Sequence, residues 1–208
     1  MRAKILLVIF ACLFLVSSVV EAEESPSIVG VYNKVLGKKY IYDGKKVEII
    51  EFLSFYCGHC YKFEKSIPVI KGNFPKKIKW RTVPVYWGKG SPKPGEAFLL
   101  AEGAGKGEEM KKAIFHANFV EGKDIGNIDV LEEIGVKLGL GFDFSRRLRA
   151  GEKAEEAEEA VSMFKEYKAG VTPSLVIAGN ILTTPGMAGG MDPFRDNVIA
   201  ILISILKL

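Results

Sequence analysis

Ile49-Ile50-Glu51-Phe52-Leu53-Ser54-Phe55-Tyr56-Cys57-Gly58-His59-Cys60 decides the fold: an apolar run is followed at once by two closely spaced cysteines. Apart from Glu48, Glu51 and Ser54, the run from Val47 to Tyr56 is apolar, which suits a strand buried on both faces. After Cys57 the pattern turns helical through Tyr61, Phe63, Glu64, Ile67 and Ile70, with Pro68 placed to bend or end the helix. The cysteines therefore stand at a strand-to-helix junction. A cysteine in the first helical turn faces unpaired backbone N–H groups and the positive end of the helix dipole, and both favour the nucleophilic thiolate. The spacing puts Cys60 on the same face about one turn deeper, so the pair can close and reopen a small disulfide ring. This is a pattern for thiol–disulfide exchange.

Working outward, Lys39-Tyr40-Ile41-Tyr42 reads as a short strand turned by Asp43-Gly44 into the apolar run, and Lys77 to Trp87 as a further strand with Pro84 near its end. Gly88 to Gly95 marks a boundary. From Glu96 to about Tyr167 the texture is helical, in segments at Ala97-Phe98-Leu99-Leu100, Met110 to Phe119, Val130 to Leu138 and Phe144 to Lys168. Ser174 to Ala178, the turn Gly179-Asn180 and Ile181 to Thr183 form a hairpin. Asp192 and Pro193 then open a last helix. Its apolar run from Val198 to Ile203 is too short to span a bilayer; packing on one face of a sheet, under the helical block, accounts for it. Gly186 to Met191 reads as a flexible connection.

Met1-Arg2-Ala3-Lys4, the apolar stretch Ile5 to Val20 and then Val20-Glu21-Ala22 have the layout of a secretory signal peptide cleaved after Ala22, an uncleaved anchor being the alternative. Cleavage removes Cys12 and leaves one cysteine pair, which is not a disulfide-stapled scaffold. It also lowers the formal charge of +4 by one, a bias too weak to imply nucleic acid as a partner. Arg146-Arg147-Leu148-Arg149 precedes a glutamate-rich stretch and reads as a solvated helix face.

Glu51, on the buried strand, shares a side with Leu53 and Phe55 by period-two counting. It is either a proton acceptor for Cys60 or the partner of a nearby lysine, since an unpaired buried carboxylate is costly. His59, as imidazolium, would stabilise the Cys57 thiolate and make the disulfide more oxidising. His116 has no second ligand in sight and no assigned role.

The segment from Glu51 to Glu64 resembles the active-site segment of DsbA-type periplasmic thiol–disulfide oxidoreductases, and Gly170-Val171-Thr172-Pro173-Ser174-Leu175-Val176-Ile177 is similar to that family's cis-proline loop. Between them the helical block falls where the family inserts a helical domain. The resemblance implies an α/β thioredoxin-like fold, with residues 23–90 and 167–208 forming the sheet domain and 91–166 the inserted helices. It implies Cys57 as attacking and Cys60 as resolving thiol, Pro173 cis against the pair, and Gly58, Val171 and Thr172 at the substrate, the Thr172 backbone pairing with an extended chain. It further implies a periplasmic or otherwise exported monomer acting on cysteine-bearing secreted proteins, reoxidised by a membrane quinone-linked enzyme of the DsbB or vitamin K epoxide reductase (VKOR) type. No cofactor is implied beyond the Cys57–Cys60 disulfide. Two residues depart from the family's best-known oxidases: Gly58-His59 resembles the pair in protein disulfide isomerases, and Thr172 is typical of isomerase-like and reductive relatives.

The nearest rival is therefore an isomerase or reductase kept reduced by a membrane donor, although no amino-terminal dimerisation segment is legible. A rival of another class is a Cu(I) or zinc carrier using Cys57 and Cys60; the absence of a second cysteine pair argues against structural zinc. Haem attachment fails because Tyr61, not histidine, follows Cys60.

Overall fold

The computed structural model describes residues 27–207; the signal segment 1–22, with Cys12, lies outside the described residues. The described strands are β1 (Asn33–Lys34), β2 (Val47–Leu53), β3 (Ile78–Pro84), β4 (Ser174–Ile177) and β5 (Ile181–Thr183), joined in one sheet of order β1-β5-β4-β2-β3. Only β2 and β3 run parallel, and β2 lies centrally between β3 and the antiparallel β4. That position explains the near-continuous apolar run: both edges of β2 are paired and both faces are covered.

The faces separate by alternation. Val47, Ile49, Leu175, Ile177 and Ile181 pack with Phe63, Ile67, Ile70 and with Phe194, Val198, Ile201, Leu202 and Ile205. These come from helices α1 (Gly58–Phe63), α2 (Ile67–Asn73) and α9 (Met191–Leu206). On the opposite face Ile50, Phe52, Val83, Val176 and Leu182 pack against Ala160 and its neighbours on α7 (Ala154–Glu166). Leu53 and Phe55, at the end of β2, enter a third core with α3 (Lys93–Gly103), α4 (Gly107–Phe119), α5 (Ile128–Lys137) and α6 (Gly141–Arg149). All described elements between β3 and β4 are helical. The α/β class read from the sequence, a mixed sheet flanked by helices and interrupted by a helical insertion, is the architecture observed.

Several local expectations are corrected. Lys39–Tyr42 forms no strand: the described segment is fixed by single bonds, such as Ile41 N–H to the Ala178 carbonyl at 2.9 Å, and the sheet edge is taken by β1. Gly179 allows that approach, because a Cβ there would stand 2.6 Å from the Lys39 carbonyl oxygen. Pro68 opens α2 instead of ending the preceding helix, since it lies in the first turn, where no intrahelical N–H is needed. Phe144–Lys168 is two helices, α6 and α7, separated by a turn in which Gly151 has φ 66°. The last helix begins at Met191, and Gly186–Met191 holds a short helix α8 (Pro185–Ala188) capped by the Thr184 hydroxyl. Finally, α9 packs against α1, α2, α8 and β2, not under the helical block. No described helix is long and apolar enough to cross a membrane.

Candidate active site

The end of β2 delivers Cys57 to the N-cap position of α1, with extended backbone (φ −97°, ψ 110°), so it precedes the first turn instead of lying within it. Its sulfur accepts the Cys60 N–H at 3.3 Å, performing the task that serine or aspartate oxygen performs at other helix starts. The Cys57 thiol donates to the Thr172 carbonyl at 3.2 Å, and the Thr172–Pro173 peptide is cis. One sulfur is thus held between a helix start and a loop from the far side of the sequence.

The two cysteines are unlinked thiols of opposite character. The Cys57 pKa falls from 9.0 to about 5: the Cys60 thiol hydrogen-bonds the thiolate, the Thr172 hydroxyl and the backbone N–H groups of Cys60 and His59 add to this, and partial burial opposes it. The Thr172 hydroxyl is buried without a hydrogen-bond partner among the described residues, so it is free to donate to a Cys57 thiolate, while the carbonyl contact belongs to the neutral thiol. Cys60 is 1% exposed. Its pKa is pushed far above the ordinary thiol range, first by burial, then by the hydrogen bond and charge of Cys57.

His59 is exposed, and what it contributes to the Cys57 thiolate comes through its backbone N–H. Gly58 is the first residue of α1, and an added Cβ would meet only Phe119 Cε1 at 3.8 Å. Val171 is 52% exposed and Thr172 8% exposed, and the Ser174 hydroxyl ties their loop by donating to the Val171 carbonyl at 2.6 Å.

Glu51 is fully buried and faces Thr82 across the parallel register. Trp80 Nε1 and the Thr82 hydroxyl donate to its Oε2 at 2.9 and 3.1 Å. A lysine partner is also present: Lys111 of α4, itself fully buried, places Nζ 3.7 Å from Glu51, 3.0 Å from Glu64 and 3.6 Å from Glu108. Burial depresses the Lys111 pKa, but these carboxylates outweigh it and the net shift is upward. Burial raises Glu64, against Lys111. Glu64 is the C-cap of α1, its N–H bonded to the Cys60 carbonyl at 3.2 Å. The helical insertion therefore carries a charge to the foot of the redox helix, and the two are joined again where Tyr61 stacks on Phe119 (5.1 Å, 12°).

Sequence reasoning missed Lys111, although a signal existed: with Ile114 and Phe115 it forms an i, i+3, i+4 apolar stripe, so a charge in a buried helix stripe matched a charge in a buried strand. Asn118 was missed too; its Nδ2 donates to the Phe55 carbonyl at 2.9 Å, securing the approach to Cys57. His116 is exposed and pairs with Glu121 at 3.2 Å. Arg146, Arg147 and Arg149 form ion pairs at the surface of the helical block. Among the described residues, no group of three or more histidine, cysteine, aspartate or glutamate side chains is placed to hold a metal.

A groove of about 450 Å³ adjoins the pair, lined by His59, Val171, Thr172 and, beyond them, Pro185, Gly189 and Met191. Its lining is more apolar than polar and includes Val171 and Thr172 of the cis-proline loop.

No family model matches the chain. Curated relatives do: it is 29% identical to the thiol:disulfide interchange protein DsbA of Azotobacter vinelandii, over 70% of this chain and 68% of that protein. It is 25% identical to DsbA of Pseudomonas aeruginosa, over 70% and 69%. Among solved structures, a P. aeruginosa DsbA variant superposes with a TM-score of 0.73 at 19% identity, covering 86% of this chain and 97% of the other. An oxidoreductase DsbA from Xylella fastidiosa gives 0.68 at 20% identity, covering 85% and 94%.

Proposed function

We propose that this chain, a thiol:disulfide oxidoreductase of the DsbA type, works as an exported disulfide donor to folding proteins that carry cysteines. The observation that supports this direction is the contrast between its two thiols. A Cys57 pKa of about 5 makes Cys57 an ionised leaving group at neutral pH, and stabilising the reduced form in this way makes the disulfide form a stronger oxidant.

The reaction runs in two exchanges. A substrate thiolate attacks Cys57 Sγ; the new intermolecular S–S bond forms, the Cys57–Cys60 bond breaks, and the electron pair leaves on Cys60 Sγ, which takes up a proton because its pKa is so high. A second substrate thiolate then attacks the first substrate sulfur. The substrate gains a disulfide and Cys57 departs as thiolate, eased by the Thr172 hydroxyl and the N–H groups at the start of α1. Two substrate thiols are oxidised and the pair is reduced. In this reading Val171 and Thr172 pair with the extended substrate as an added strand, and Gly58, without a side chain, leaves the approach to Cys57 open. Glu51 manages the proton of Cys60, and the redox-active disulfide is the sole prosthetic group.

A redox partner must then reoxidise the pair. We assign this to a membrane quinone-linked enzyme of the DsbB or VKOR type, which fits export by an amino-terminal signal. A resemblance in the sequence supports the opposite direction: Gly58-His59 resembles the pair in protein disulfide isomerases, and Thr172 is typical of isomerase-like and reductive relatives. The reduction potential decides, measured by equilibrating the mature protein in glutathione buffers and alkylating the free thiols. A value towards about −120 mV is expected for the donor; one near −270 mV makes the protein a reductant.

A further inference from the structure

The groove beside Val171 is not alone. A second cavity of about 270 Å³ is lined by Ser54, Tyr56, Cys57, Trp87, Lys89 and Gly90. Trp87 also lines a third, of about 210 Å³, with Val85, Phe164, Lys165 and Gly170. The two adjoin at Trp87, and their combined lining extends from the reactive sulfur to Gly170, the residue preceding Val171. It shares no lining residue with the groove of His59 and Met191.

We propose that this second groove receives the other arm of the substrate chain and prefers an aromatic or large apolar residue next to a carboxylate. The inference rests on the thiol–disulfide exchange reading above. A substrate joined to Cys57 through its own cysteine, and extended along Thr172, continues in both directions at about 3.3 Å per residue. One groove serves one arm, and the second is already built. Trp87 is 54% exposed yet fixed, its ring stacked on Phe164 at 6.1 Å and 13°. The Tyr56 hydroxyl accepts the Ser91 N–H at 3.2 Å, and Gly90 lies so flat on the Tyr56 ring that a Cβ would come within 3.2 Å of it. These walls are ring faces, suited to an aromatic or aliphatic side chain.

The charge is of one sign. Apart from Cys57 itself, Lys89 and Lys165 are the charged side chains of this lining. Both are exposed, and neither has an ion-pair partner among the described residues. No carboxylate lines either part. The first groove carries no lysine, arginine or carboxylate, so the two arms meet different chemistry: neutral and backbone-rich on one side, aromatic and cationic on the other.

The test uses the mature protein and cysteine peptides that differ only in a Phe-Glu, Phe-Lys or Ser-Glu dipeptide, placed before or after the cysteine. At low salt, in one of the two placements, Phe-Glu peptides are expected to be oxidised about two- to fivefold faster than Phe-Lys peptides, the range of an exposed ion pair. The double substitution Lys89→Gln/Lys165→Gln levels that ratio. Trp87→Ala reduces the advantage of Phe-Glu over Ser-Glu about two- to tenfold, while the reduction potential stays at the wild-type value, which separates recognition from damage to the redox pair. Equal wild-type rates in both placements, or a preference that survives the lysine substitutions, would overturn the proposal. If no peptide is oxidised, the donor reading fails instead, and the same ratios read on peptide–glutathione mixed disulfides still decide the groove.

Discussion

Replacing Lys111 by methionine keeps a side chain of similar length and removes one charge from a site closed to water. The lost ammonium stood 3.0 Å from Glu64, 3.6 Å from Glu108 and 3.7 Å from Glu51. At an effective dielectric constant near 20, one pair at such a distance is worth about 4 kcal/mol, from which the cost of burying the ammonium is subtracted. Glu51 and most of Glu64 are left buried without a counter-charge, and breaking a pair in that way costs about 3–5 kcal/mol. For a protein of this size that lowers Tm by about 6–20 °C. The loss must depend on pH. Burial already raises Glu64 above its ordinary 4.5, and Lys111 restrains it; without Lys111 it rises further. A carboxyl whose folded pKa exceeds its unfolded value binds more protons in the folded state, so it weakens the fold as pH rises through that interval. The deficit of Lys111→Met is therefore largest at pH 7–8 and shrinks towards pH 4.5. Urea unfolding of the reduced protein at both ends of this range is the assay, and adding Glu51→Gln should restore part of the loss at pH 7.5. A variant within about 1 kcal/mol of wild type at neutral pH, or one equally weakened at both pH values, would refute the account of Lys111 as a buried counter-charge.

Thiolate absorbance of the reduced protein should titrate with a midpoint near pH 5 for Cys57, while Cys60 remains a thiol at neutral pH; a midpoint above 7 contradicts the cap geometry. Because the folded Cys57 pKa lies below the unfolded one, the stability its thiolate adds to the reduced form is complete above about pH 9 and lost as pH falls through about 5. Thermal unfolding of reduced and oxidised protein from pH 4 to 9 measures this. Gly58→Pro should fold with equal or slightly higher stability, by about 0.4–1 kcal/mol, because proline suits the first helical position. The thiolate takes its backbone support from Cys60 and His59, so the Cys57 midpoint should stay within half a unit; a rise of more than one unit shows that the Gly58 N–H also supports the thiolate.

What the sequence made legible was local or periodic. The near-continuous apolar run marked β2 as an interior strand, and the period change at Cys57 marked the start of α1. Gly179-Asn180 marked the hairpin, although Ala178 shares its left-handed turn with φ 48°. What escaped was set by partners distant in the chain. Lys39–Tyr42 had strand composition but no ladder to join, because β1 pairs with β5 there. The fate of Glu51 depended on a lysine 60 positions later; the stripe with Ile114 and Phe115 marks that lysine as buried but not which strand it meets. His59 carried an expected electrostatic role by chain proximity; its backbone N–H, beside that of Cys60, is what favours the Cys57 thiolate here. Groove walls such as Trp87 and Phe164 meet only after the insertion has folded back on the sheet.

The burial of Cys60 sets a clock. In the proposed donor cycle, burial keeps Cys60 a thiol at neutral pH, so its attack on a mixed disulfide is slow beside the capture of a substrate at Cys57. A captured chain is therefore given an interval in which its own second cysteine can arrive and complete the bond. Only a chain that fails to produce one is eventually ejected by Cys60, leaving with the thiol it brought. The depth of one sulfur thus fixes how long the protein waits for a substrate before giving it up.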